Sequence, residues 1–213
     1  MKPVVKICGL RESDNIISAV SLKPLFLGFI FYSRSPRYAE GILSQGLMAV
    51  LPSDIRKTGV FVNSGFKEIV RIARSYSLDT IQLHGDEPPE LCRKLKLEGY
   101  RVIKVFSISP GCDFISCRGY TNVTDYFLFD TKTGGHGGSG QKFDWRVFEE
   151  YNIDHPFFIS GGIGPDDAAL IRRIANPGFY GVDLNSRFEL KPGLKDIERL
   201  RKFIIELEKS EMK

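Results

Sequence analysis

The chain has 213 residues, 42% of them hydrophobic and 26% charged, with a formal net charge of +4. This composition excludes a disordered or fibrous protein, and the length suits one large domain or two small ones around a well-buried core. Lys and Arg are scattered without a dense run, which argues against nucleic acid as a partner and for an anionic small molecule.

The four cysteines, Cys8, Cys92, Cys112 and Cys117, form no C-x-x-C pair and no Cys/His cluster, so no metal is expected. Lys6 breaks the N-terminal apolar run too early for a signal peptide, and the longest apolar run, residues 25–32, is too short to cross a membrane. A cytoplasmic protein with reduced thiols and no membrane partner is expected.

Strand-like runs fall at residues 3–8, 25–31, 58–62, 80–83, 102–106, 126–129, 157–159 and 179–182. Amphipathic stretches at 14–22, 42–51, 66–76, 89–97, 145–151 and 166–174 lie between them. Residues 194–207 close the chain as one more predicted helix, with Leu194, Ile197, Leu200, Ile204 and Leu207 on one stripe. Short strands apolar on both faces, each followed by a helix, call for a parallel sheet covered by helices. Eight such units in about 200 residues predict a compact α/β protein, a (β/α)8 TIM barrel, with residues 1–213 as a single domain. A doubly wound open sheet is the competing fold. The fifth unit, 111–125, has a poor helical pattern and predicts a short or irregular segment.

Barrel chemistry sits where strands end. Cys8 ends the first strand, before Gly9, and reads either as a core hydrophobe or as a thiolate whose pKa is lowered by nearby positive charge. Lys6 lies on the same strand face, either adding positive potential or pairing with an interior carboxylate. Arg37, in the loop after the second strand, suits bidentate binding of a carboxylate, or is simply a solvated cation. His84 follows the fourth strand as a general base or a structural histidine, and Asp86 and Glu87 read as helix caps.

Asp130 follows four bulky apolar residues, where desolvation favours the protonated form a general acid needs; a loop cap is the alternative. The run 131–140 contains G-x-G-x-x-G at Gly135, Gly137 and Gly140, but neither strand nor helix flanks it as a dinucleotide site requires. A mobile lid fits better, with Phe143, Asp144 and Trp145 opening the next helix. After the seventh strand, Gly161 and Gly162 leave the backbone bare and Pro165 suits a helix start, a setting for phosphate. Asn185, Ser186 and Arg187 after the eighth could complete that site.

Several stretches together resemble the phosphoribosylanthranilate isomerase family: Lys6-Ile7-Cys8-Gly9-Leu10, Ser35-Pro36-Arg37-Tyr38, Gly59-Val60-Phe61-Val62-Asn63, Gln82-Leu83-His84-Gly85, Phe129-Asp130, Phe143-Asp144-Trp145 and Ser160-Gly161-Gly162-Ile163. The resemblance implies an Amadori rearrangement of N-(5-phosphoribosyl)anthranilate in tryptophan biosynthesis, without cofactor or metal. It implies Asp130 as general acid, Cys8 as general base, Arg37 as holder of the anthranilate carboxylate, and Gly161, Gly162, Asn185 and Ser186 as phosphate ligands, with Lys6 and His84 in support. The chain departs from the family pattern at Asn185-Ser186-Arg187, where serine-serine-glycine is usual, and at Arg11, where threonine is usual. A monomer is the default expectation and a homodimer the alternative. Another phosphosugar isomerase or epimerase, or a barrel that binds a phosphorylated ligand without catalysis, are the competing functions.

Overall fold

Short runs that are apolar on both faces bury fully only when a sheet is covered outside and filled inside. The computed structural model, which describes residues 2–108, 114–131 and 145–209, meets both demands with a closed barrel. Its strands are β1 (Val4–Cys8), β2 (Phe26–Ile30), β3 (Arg56–Phe61), β4 (Thr80–Leu83), β5 (Arg101–Ile108), β6 (Tyr126–Thr131), β7 (Phe157–Ser160) and β8 (Phe179–Leu184). They pair in sequence order, all parallel, and β8 closes on β1 with Lys6 opposite Asp183.

The helices are α1 (Ser13–Val20), α2 (Gln45–Val50), α3 (Phe66–Ser75), α4 (Pro89–Leu97), α5 (Ala168–Ile171) and α6 (Ile197–Glu208). Among the described residues, the fifth and sixth connections carry 3₁₀ turns, Ile115–Tyr120 and Trp145–Glu150. The first agrees with the poor pattern of that unit, whereas the second replaces the α-helix expected at 145–151. Phe143, Asp144, Cys112 and residues 132–140, where a lid was expected, lie outside the described residues.

Two further expectations are corrected. Pro165 does not open a helix, because the Gly164 amide donates to Asp167 Oδ2 at 2.7 Å and closes a separate turn before α5. The C-terminal stretch is not one helix from Leu194. Pro192-Gly193, with Gly193 at φ 84°, turns the chain into a hairpin of β9 (Glu189–Lys191) and β10 (Leu194–Lys195). Asp196 then accepts from the Arg199 amide at 3.0 Å and starts α6.

Alternation along each strand sorts side chains into two cores. Phe26, Ile103, Val105, Leu128 and Phe158 fill the barrel floor, with Phe26 edge-on to Phe158 at 5.3 Å. The larger core lies between barrel and helices. The apolar floor leaves the polar residues of the same inward faces to the C-terminal mouth.

Candidate active site

Cys8 stands at the tip of β1, opposite Gly28 of β2. A Cβ at Gly28 would lie 2.7 Å from Cys8 Sγ, so the glycine makes room for the sulfur. Gly9, at φ 83°, turns the chain, and both its amide and that of Leu10 donate to Gly28 O. The thiol opens onto a cavity of about 170 Å³, also lined by Gln82, His84, Asp130, Gly162 and Asn185. A larger groove of about 720 Å³ lies at the opposite barrel end, by Pro3 and Phe179, and has no thiol or imidazole in its lining.

Lys6, fully buried, holds Asp183 Oδ1 at 2.8 Å beneath the thiol. This is the interior carboxylate that one reading of Lys6 required. Burial favours neutral Lys6, but the Asp183 charge overcomes it and the lysine pKa is raised. Burial pushes the Cys8 thiol up and Asp183 adds to the rise, while Lys6 and Lys195 oppose it without prevailing. The lowered thiol pKa that one reading of Cys8 required is therefore corrected: positive charge is present, but loss of water outweighs it.

Across the mouth, Asp130, the penultimate residue of β6, lies beside Ser107 and Ser160, and its Oδ2 lies 3.4 Å from His84 Nε2. The histidine thus faces the aspartate. Glu87 is not a cap, since Pro88 occupies that position. Its buried carboxylate instead accepts from the Asn63 and Gly85 amides and from Lys104 Nζ, fixing the loop that carries His84.

At the rim, the Arg37 guanidinium forms a fork with Glu189: Nε to Oε1 at 2.9 Å and Nη2 to Oε2 at 2.6 Å. Its Cδ covers Gly9, where an added Cβ would come within 2.8 Å. Glu189 also accepts from Lys195 Nζ at 2.8 Å and from the Gly193 amide. Burial alone would raise the Glu189 pKa, but the bonds from Arg37 and Lys195 lower it. Lys195 reaches onward to Asn185 Oδ1 at 2.7 Å, joining the Arg37 end of the mouth to the turn after β8. Burial lowers the Lys195 pKa although Glu189 opposes the change.

After β7, Gly161 and Gly162 adopt φ 88° and 68°, and after β8 Ser186 begins a 3₁₀ turn, Ser186–Phe188. Both segments line the cavity with Arg187. Of the residues singled out in the sequence, Cys8, His84, Asp130, Gly161, Gly162, Asn185 and Ser186 meet in this lining. Arg37 stands at its edge and Lys6 below it. Sequence reasoning missed Gln82, Asp183, Glu189 and Lys195 as members of the site. The Pro192-Gly193 dipeptide was the available signal for the hairpin that brings in the last two.

A parallel barrel whose C-terminal mouth gathers a thiol, a carboxylic acid and glycine turns defines a class: enzymes that act on phosphorylated small molecules by moving protons. The comparisons narrow the class. Residues 5–206 match the family model described as N-(5'-phosphoribosyl)anthranilate (PRA) isomerase. An N-(5'-phosphoribosyl)anthranilate isomerase of Parabacteroides distasonis is 45% identical over 202 residues, covering 94% of this chain and 91% of the relative. A solved phosphoribosylanthranilate isomerase in complex with reduced 1-(o-carboxyphenylamino)-1-deoxyribulose 5-phosphate superposes at TM-score 0.83 and 30% identity, covering 96% and 98% of the two chains. Monomers generated from the dimeric enzyme of Thermotoga maritima superpose at TM-score 0.79 and 28% identity, covering 98% and 100%. The chain belongs to the N-(5'-phosphoribosyl)anthranilate isomerase family.

Proposed function

We propose that this chain converts N-(5-phosphoribosyl)anthranilate to 1-(2-carboxyphenylamino)-1-deoxyribulose 5-phosphate, an aldose–ketose isomerisation in L-tryptophan biosynthesis. The observation that supports the assignment of roles is one cavity lined by both Cys8 and Asp130, on β1 and β6. Asp130 donates its proton to the ribose ring oxygen, the C1–O bond breaks, and the ring opens to a protonated Schiff base. His84 orients the carboxyl group. Cys8, as thiolate, then takes the proton from C2, and the electron pair moves into a C1–C2 double bond that neutralises the nitrogen. The resulting enolamine gains a proton at C1 and loses one from the C2 hydroxyl to give the ketone.

Lys6 and Lys195 stabilise the charge that forms on the buried sulfur. Arg37 holds the anthranilate carboxylate with the guanidinium edge that Glu189 leaves open. Gly161, Gly162, Asn185 and Ser186 take the phosphate through backbone amides, anchoring the substrate away from the reacting carbons. On this reading the enzyme works in the cytoplasm as a monomer, in keeping with the free thiols of Cys8 and Cys92. Sedimentation would expose a homodimer. The test is the loss of phosphoribosylanthranilate fluorescence with purified protein, and folded protein that leaves fresh substrate unconsumed overturns the proposal.

A further inference from the structure

Gln82 sits on β4 with Val60 and Ile103 as its register partners, two residues before His84 and on the same strand face. It therefore lies deeper in the mouth than the His84–Asp130 contact. It is 1% exposed, yet it lines the cavity together with Cys8 and Asp130. Its Oε1 is buried with no hydrogen-bond partner among the described residues. A buried amide without a partner destabilises the free protein, and a site that holds one is complementary to a group brought by its ligand. Exchanging the amide oxygen and nitrogen would leave a donor unpaired in place of the acceptor, so the inference does not depend on that assignment.

A second buried oxygen, Thr58 Oγ1, is also without a partner, but Thr58 is not part of the cavity lining. The two orphans share a cost and differ in access to a ligand.

We infer that Gln82 is a substrate-binding residue whose carboxamide pairs with a hydroxyl group of the pentose chain. β4 stands across the barrel from β7 and β8, so the phosphate lies at the far side and the sugar carbons between acid and base come nearest Gln82. A hydroxyl is both donor and acceptor and satisfies either end of the amide. The inference rests on the isomerase reading above.

The test compares Gln82→Met, a near-isostere, with Thr58→Val, using Gln82→Leu if the first variant fails to fold. Thermal melting of the free proteins should show both substitutions neutral or stabilising, because each removes an unpaired polar atom. Only the Gln82 variant should lose kcat/KM, by about tenfold, and bind the reduced product analogue about tenfold more weakly. Inhibition by inorganic phosphate should stay as in the wild type. Wild-type kinetics in Gln82→Met overturn the inference, as would be found if only solvent paired with the amide. A lowered melting temperature with unchanged analogue affinity overturns it too. A wild-type protein without turnover would instead overturn the isomerase reading itself.

Discussion

Two buried lysine–carboxylate pairs lie on opposite sides of one barrel wall. Lys6 meets Asp183 at 2.8 Å inside the barrel, and Lys104 meets Glu87 at 3.0 Å. Lys104 alternates with the inward-facing Ile103 and Val105, so its side chain lies outside, under the loop that leads into α4. Both pairs are almost fully buried, and both follow the rule that a charge withdrawn from water must be compensated. Their neighbours differ. Asp183 and Lys6 act on the Cys8 sulfur in opposite senses, whereas Lys104 binds the Gly85 carbonyl at 2.6 Å and steadies a loop. The same interaction acts on a thiol in one place and on loop geometry in the other, according to what stands beside it.

The largest expected effect separates the reacting groups from both pairs. Asp130→Asn should lower kcat by a factor of roughly 10² to 10⁴, the span of general acid catalysis, with little change in melting temperature. A variant that retains wild-type kcat removes Asp130 from its role. Next, Lys6→Met and Lys104→Met should each destabilise by about 3–5 kcal/mol in urea unfolding, because each leaves a buried carboxylate unpaired. Only Lys6→Met should also move the pH dependence of kcat/KM, and an equal shift in both variants would dissolve the contrast.

The smallest effect is in the pH profile itself. The Cys8 pKa is raised by burial, so kcat/KM should keep climbing above the ordinary thiol value of about 8.5. A plateau reached by neutral pH would contradict this. The corresponding stability change has a definite sign. A thiol that holds its proton more tightly when folded stabilises the native state below that range and costs stability as pH rises through it.

Much of the site was legible because strand ends are legible. Cys8, His84 and Asp130 each follow a short apolar run, and a parallel barrel carries such residues to one mouth. Glu87 was misread as a cap because acidic residues before proline usually start helices; here the buried Lys104 draws the carboxylate inward. The stripe through residues 194–207 contains a real helix from Ile197, but Leu194 shares its spacing by coincidence. The Pro192-Gly193 turn and the pairing of Leu194 with Lys191 override helical periodicity there. Gln82 entered only as part of a resemblance stretch and carried no sign of a site role, since one amide in a strand is ordinary until the cavity around it is known.

By itself the sequence determined the eight barrel strands, their order and the groups that end them, because short apolar runs, strand length and turn residues act over a few positions. The sequence also carried the family resemblance. Tertiary structure alone decided the partners: Asp183 for Lys6 across 177 residues, Glu189 for Arg37 across 152, and Asn185 for Lys195 through a hairpin. It also decided the proton affinity of Cys8. One of the two sequence readings gave Cys8 an acidic thiol, and the closing of the barrel, by excluding water, shifts it the other way.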